Sequence, residues 1–203
     1  MNKLTVIKTK RLLLRQWKDS DLHYYASMNA DEDVMHFFPR LQTEEESAAF
    51  IDVQLQRIDE RGWGLFAVEV IESKEFIGFI GLNPTTFDSN FTPCTEIGWR
   101  LRKEFWNQGY ASEGAKACLT YGFRDLDFKD IYSFTAKLNL PSERVMQKIG
   151  MEQIGEFSHP RVPEDSILKP HILYHLSQSK FNEMNINSAY NPNTKFSNLL
   201  QIQ

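Results

Sequence analysis

Cysteine is scarce: Cys94 and Cys118 are the only two in 203 residues, and they form no C-x-x-C pair. That excludes a disulfide framework or a thiolate zinc cluster, and it suits a reducing compartment, so a cytoplasmic protein is expected. No run of about 18 apolar residues occurs, and the first residues have no signal-type apolar core, so the expectation is no membrane span and no secretion. A basic excess is also missing. Lys and Arg number 23 against 27 Asp and Glu, a net charge of -4 at pH 7, so no basic stripe is available to neutralise nucleic-acid phosphates. Neither nucleic acid nor membrane is expected as a partner, and the slight acidity suits a small cationic substrate better. Internal repeats are absent.

What is present is apolar: 41% hydrophobic residues, with 13% aromatic, enough for one sizeable core in a chain of single-domain length. "KRLLLRQW" (10–17) reads as a buried strand flanked by Arg11 and Arg15. Asp19 and Ser20 are candidate caps for a helix with Leu22, Tyr25 and Ala26 on its apolar face. In "TEEESAAFIDVQLQRIDERG" (43–62), Thr43 and Glu46 match a capping box. Phe50, Ile51, Leu55 and Ile58 recur at helical spacing, and Gly62 follows the end. The period then changes. "GLFAVEVIE" (64–72) and "FIGFIGLN" (76–83) read as a hairpin of β-branched and aromatic residues. Further strands are predicted at "CTEIGWRLR" (94–102), "IYSFTAKL" (131–138), "MEQIGEFSH" (151–159) and "HILYHLSQ" (171–178), with a short helix at "PSERVMQKIG" (141–150). After residue 178 the chain turns polar, and only Phe196, Leu199 and Leu200 look buriable. We therefore read 1–178 as the domain and 179–203 as a tail or arm.

"KEFWNQGYASEGAKACLTYGF" (103–123) carries a strand-to-helix turn built round Gly109. The first N–H groups of a helix have no partner within it and sit at the positive end of its dipole, which makes them a cradle for an anion such as phosphate. Gly109 permits close approach or positive φ, Ala111 is small, and Asn107 is one of the few non-glycine residues that tolerate left-handed backbone. A helix start that simply needs a flexible residue is the plain alternative. No Lys-Ser/Thr follows the glycine, so a P-loop fails, and G-x-G-x-x-G is absent, so the dinucleotide fingerprint fails.

"EIGWRLRKEFWNQGYASEG" (96–114) resembles the acyl-coenzyme A motif of the GNAT acetyltransferase superfamily, in its RimJ/RimL-like branch. The pattern there is Gln, Arg or Trp, two residues, Gly, one residue, then Gly or Ala, met here by Trp106, Gly109 and Ala111. "NLPSERVMQKIGM" (139–151) is similar to a second family segment, and "HPRVPEDSILKPHILYHL" (159–176) to a C-terminal hairpin of this branch. The resemblance runs over about residues 10–178. It implies an α/β (α+β) fold: a mixed, mostly antiparallel sheet of about seven strands flanked by helices, with a V-shaped splay between two central parallel strands.

By the same resemblance the bound molecules are acetyl-CoA, as acyl donor, and an amine acceptor, with no metal. Asn107, Gln108, Gly109, Tyr110, Ala111 and Ser112 take the pyrophosphate. Trp99, Arg100, Leu101 and Arg102 give main-chain contacts to the pantetheine arm, and Asn139 bonds its amide. Arg102 and Lys103 either approach the phosphates or form a solvated strand end. Glu96 is the candidate general base, or else a carboxylate that binds the substrate cation or pairs with an arginine. The family's tyrosine acid is replaced by Met146, which leaves Ser142 near the thiol, or as a plain first-turn helix residue. His36, Phe37 and Phe38 border the acceptor cleft or pack in the core, and stretches 35–41, 87–93 and 159–170 line that side. Asn107 departs from the glycine common in the branch. His171 and His175 share a strand face without a third ligand, so zinc is not expected.

The implied activity is acetyl transfer to a primary amine, at a protein N-terminus or on a small molecule, by direct attack. A catalytically silent acetyl-CoA-binding module is the alternative, and the chain is expected to be a monomer or homodimer.

Overall fold

The computed structural model describes residues 6–187, with backbone alone for the last three. Along the chain run β1 (Ile7–Lys8), β2 (Leu12–Arg15), α1 (Asp21–Asn29), α2 (Glu32–Met35), α3 (Glu44–Arg61), β3 (Leu65–Val70), β4 (Phe76–Thr85) and β5 (Cys94–Leu101). After a 3-10 turn at Lys103–Phe105 come α4 (Tyr110–Arg124), β6 (Asp130–Ala136), α5 (Leu140–Lys148), β7 (Glu152–Ser158), β8 (Pro170–Ser177) and α6 (Gln178–Asn187). The strands form one sheet in the order β1-β2-β3-β4-β5-β6-β8-β7. Every neighbouring pair is antiparallel except β5 and β6. Eight strands stand where about seven were expected. The added one, β1, is two residues long, too short to leave a pattern in the sequence.

The strand alternation sorts the side chains. Leu12, Ile80, Leu82 and Ile131 face α4, whose Gly114 and Gly122 let its backbone lie close to them. Ala115, Cys118, Leu119 and Phe123 of α4 are buried there, each larger side chain contributing about 1.5–3 kcal/mol. On the opposite face, Trp17, Tyr25, Phe50, Phe76 and Phe79 form an aromatic cluster of edge-to-face and tilted pairs between the sheet, α1 and α3. The capping box of α3 is made: Thr43 Oγ1 accepts from the Glu46 N–H, and the Thr43 N–H donates back to Glu46.

Two local features add to the sequence reading. Within the segment read as a tail or arm, the chain runs on from β8 as α6: Phe181 is buried against Phe123, and Met184 covers Gly150. One large apolar residue per turn is too little periodicity to see in a polar segment. The remainder of the proposed tail lies outside the described residues. At α1, Ser20 occupies the capping position without a side-chain bond. Asp21 instead accepts from the Lys18 N–H and is buried.

Asp21 belongs to a buried charge cluster. Arg15 Nη1 and Nη2 donate to its two oxygens at 2.7 and 2.9 Å, and Arg15 Nε donates to Glu69 at 2.8 Å. The side chains are 8%, 2% and 9% exposed. Burial pushes the Glu69 carboxyl up, but bonds from Arg15 and Lys18 outweigh it and hold it below the ordinary range. Removing one partner strands a charge in the interior. Arg15→Met is expected to lower unfolding free energy by about 3–5 kcal/mol, read from urea denaturation.

Candidate active site

β5 is hydrogen-bonded to β4 along its whole length, from Cys94 to Leu101, but shares only the register pair Glu96–Tyr132 with β6. Beyond that pair the two parallel strands part. Ser133 Oγ donates to Ile97 O at 2.9 Å, a side-chain bond where the ladder ends. The Arg102 N–H donates to Ile77 O, so the alternation of an antiparallel pair turns the main-chain groups of Glu96, Gly98 and Arg100 toward β4. Those of Ile97, Trp99 and Leu101 therefore turn into the gap, where the Trp106 indole N–H takes up Leu101 O at 2.8 Å. Of the four residues expected to offer backbone to an extended ligand, Trp99 and Leu101 have N–H groups facing the gap. Arg100 and Arg102 spend theirs on β4.

At the wide end of the gap lies the start of α4. Asn107 and Gly109 both have left-handed backbone, φ 59° and 81°, a conformation that costs most residues about 1–2 kcal/mol. The first intrahelical bond of α4 runs from the Glu113 N–H to Gly109 O, so the N–H groups of Tyr110, Ala111 and Ser112 are free of helical partners. A second-layer network fixes this mouth. Glu113 accepts from Thr9 Oγ1, the Arg11 N–H and Arg11 Nε, and Arg11 Nη1 reaches Gln108 O at 3.0 Å while its guanidinium lies over Tyr110. Arg11 thus ties the loop to α4, with its charge balanced by Glu113. Nothing in the sequence signalled it, because residues 11 and 113 meet only across the sheet.

The flanking cations are less free. Lys103 pairs with Asp31 at 2.8 Å and Asp33 at 3.2 Å. Arg102 donates to Phe76 O and lies near the rings of Tyr24 and Phe105.

Glu96, at the point where the strands part, turns its side chain away from α4. Thr85 Oγ1 donates to it at 2.7 Å. Part of the residue is open to solvent, yet dense surroundings push its carboxyl up to about 7, against the opposing help of Thr85, Asn83 and the charge of Arg161. Asn83 is itself held by Arg57 Nη1 at 2.7 Å. Cys94, on the same face, is pushed up to about 11 by burial and by Glu96.

Segments 35–41, 87–93 and 159–170 converge on this face. Phe38 lies over the Arg100 guanidinium at 3.9 Å. Phe87 contacts Phe134, Phe157 and His159, and burial with neighbouring cationic and histidine side chains brings His159 down to about 4. Of the three aromatic candidates Phe38 meets the row of β5 side chains through Arg100, while His36 and Phe37 contact each other.

Past the end of β6, Asn139 caps α5: its Oδ1 accepts from the Ser142 N–H at 3.3 Å and its Nδ2 donates to Thr135 Oγ1. The Ser142 hydroxyl makes no hydrogen bond among the described residues. Met146 is buried in the core at 1% exposure. His171 and His175 on β8 go separate ways, to Lys169 O and Asp130.

Comparison with known proteins agrees with this geometry. The family model for the "Acetyltransferase (GNAT) domain" matches residues 11–152. An uncharacterized N-acetyltransferase of Bacillus subtilis, YnaD, is 36% identical over 153 residues, which is 74% of this chain and 85% of that one. The crystal structure of a GNAT-family acetyltransferase from Bacillus anthracis superposes with a TM-score of 0.72 at 31% identity, covering 86% of this chain and 99% of that chain. A spermidine N-acetyltransferase from Vibrio cholerae, solved with CoA and spermine, shares the fold at a TM-score of 0.68 and 19% identity, over 86% and 99% of the two chains. The chain belongs to the GNAT family and is an acetyl-CoA-dependent N-acetyltransferase.

The Glu96 environment gives a pH dependence of stability. In an unfolded chain its carboxyl titrates near 4.3, and in the fold near 7. Between those values the folded state binds the extra proton, so Glu96 loses stabilising effect as pH rises through that window. The stability of the wild type relative to Glu96→Gln should fall from pH 5 to pH 8 in paired urea titrations. A pH-independent difference would contradict the raised ionisation.

Proposed function

We propose that this GNAT acetyltransferase moves the acetyl group from acetyl-CoA directly to a primary amine, at a protein N-terminus or on a small molecule as in the RimJ/RimL-like branch, with Glu96 as the general base. The observation that carries this reading is a carboxyl tuned to about 7 beside the parting of two parallel strands. An alkylammonium with a pKa near 10.4 costs about 4–5 kcal/mol to deprotonate at neutral pH. A base that titrates near the working pH is best matched to that task.

Acetyl-CoA supplies an activated thioester, and the residues here fit its parts. The left-handed turn at Asn107 and Gly109, the free N–H groups of Tyr110, Ala111 and Ser112, and Gln108 beside Arg11 suit a pyrophosphate. Trp99 and Leu101 offer N–H groups to the arm and to the acetyl oxygen, where one aligned donor is worth about 3 kcal/mol in the transition state. Glu96 takes one proton from the ammonium. As the C–N bond forms and the C–S bond breaks, the nitrogen loses a second proton, which the sulfur takes up with the Ser142 hydroxyl as relay. Asn139 holds the first turn of α5, and so the position of Ser142. Direct attack fits the cysteines, because Cys94 is held protonated and burial also raises Cys118.

Thiol release should be detected with an amine panel, and kcat/KM should rise as pH climbs through about 7, the ionised carboxylate being the active form. Glu96→Gln should lower kcat/KM by about 10²–10⁴ and remove that ionisation from the profile. Turnover unchanged in the variant would take Glu96 out of the reaction. At the cradle, Gly109→Ala forces a left-handed alanine and should weaken acetyl-CoA binding about tenfold by calorimetry. An unaltered dissociation constant would detach the pyrophosphate from this loop.

A further inference from the structure

Two arginines packed on the sheet are treated differently: Arg15 is buried, and Arg100 is partly exposed with its Nε–H buried. Arg15 has two carboxylates bonded to it. Arg100, on β5, has none: among the described residues no carboxylate pairs with it, its Nη1 donates to the neutral Asn29 Oδ1 at 2.7 Å, and its Nε–H is buried without any acceptor. A partly exposed cation with one buried, unsatisfied N–H and no counter-charge in the chain is left for solvent or for an anion from outside the chain to complete.

The surroundings hold Arg100 in place without neutralising it. Asn29 is itself fixed, with Nδ2 on Ser47 Oγ at 2.9 Å and its carbonyl accepting from the Gln42 N–H. The rings of Phe38 and Phe79 lie 3.9 and 5.6 Å from the guanidinium carbon. Ring faces favour a cation but cannot accept hydrogen bonds from its N–H edge as a carboxylate does. Phe38 is open to solvent, so the guanidinium is close to the molecular surface on that side.

Arg100 shares its face of β5 with Glu96, and Gly98 stands between them. A Cβ added at Gly98 would find only Glu96 Oε1, at 3.9 Å, within van der Waals range. The sheet is therefore bare between a proton acceptor and an uncompensated cation, whose Cα atoms are about 13 Å apart along the strand.

We propose that Arg100 is the anion site of the acceptor: the amine that Glu96 deprotonates belongs to a molecule carrying its own carboxylate, which Arg100 binds across Gly98. This rests on the reading of Glu96 as the amine-binding base. A single guanidinium matches a monoanion. A polyamine would set a second ammonium against Arg100, and like charges there select against it. The slight acidity of the chain as a whole is thus a poor guide to the acceptor, because the local charge at this end of the cleft is positive.

The test uses the full chain with α- and ω-amino acids from glycine to 6-aminohexanoate, each compared with its carboxamide, and with spermidine, read by thiol release. The best carboxylate acceptor should exceed its carboxamide about tenfold or more in kcat/KM, mainly through KM, and should exceed spermidine. Arg100→Gln should bring the ratio near one, and Arg100→Lys should restore part of it. A merely structural role for Arg100 would weaken both acceptors together and leave the ratio standing. A carboxamide as good as its carboxylate in the wild type, or a ratio unmoved by Arg100→Gln, overturns the proposal. Thermal shift with the same ligand pairs separates it from the reading it rests on. Stabilisation by the carboxylate alone, lost in Arg100→Gln and unaccompanied by thiol release, keeps the anion site and sinks the transfer reading. Equal shifts for both members of each pair, again without release, sink the anion site as well.

Discussion

Strands β5 and β6 start as hydrogen-bonded neighbours and then separate, and the rest of the molecule is arranged around that separation. An interior strand normally satisfies both of its edges, because an unpaired buried N–H or C=O is costly. Here β5 is fully paired to β4 while its other edge has the single register pair Glu96–Tyr132. Ser133 and Trp106 take up Ile97 O and Leu101 O. The N–H groups of Trp99 and Leu101 are left facing the gap, available to an extended ligand that can replace the missing strand. Helices α4 and α5 start at the wide end of the gap, so the parting of the strands also sets where the α4 helix mouth lies.

Opposite sides of β5 carry different electrostatics. Toward α4 the charges are partial and positive: free N–H groups at a helix start, positioned by the Arg11–Glu113 pair. Toward α1 and α3, Glu96, Gly98 and Arg100 form a row of carboxyl, gap and cation. Burial raises the Glu96 carboxyl at one end of this row and disfavours the Arg100 charge at the other. Each end thus disfavours its own charged form, by burial among different neighbours. The contrast with Arg15 is informative, since that cation is balanced within the chain and serves the core.

Residues close in sequence were legible wherever local geometry dictates them. The capping box at Thr43 and Glu46, the β3–β4 hairpin and the left-handed turn at Asn107 and Gly109 follow from side chains a few positions apart. Glu96 was picked out through the family resemblance of its strand, and the burial that raises its ionisation, against the opposing bond from Thr85 on the adjacent strand, came only from the fold. Strand β1 and helix α6 were not legible, one for want of length and the other for want of an apolar face.

By itself the sequence determined the alternation of strands and helices, the left-handed turn with its glycine at the mouth of α4, and the carboxylate carried by β5. These depend on backbone dihedrals and side-chain periodicity, which act over a few residues. The tertiary structure decided which main-chain groups of β5 face the gap, that Arg11 is tied to α4 by Glu113, and that Arg100 has no counter-charge among the described residues. Charge balance is a property of neighbours in space. The partners of Arg11 and Arg100 stand 102 and 71 positions away in the chain, so no reading of the chain in one dimension could bring them together.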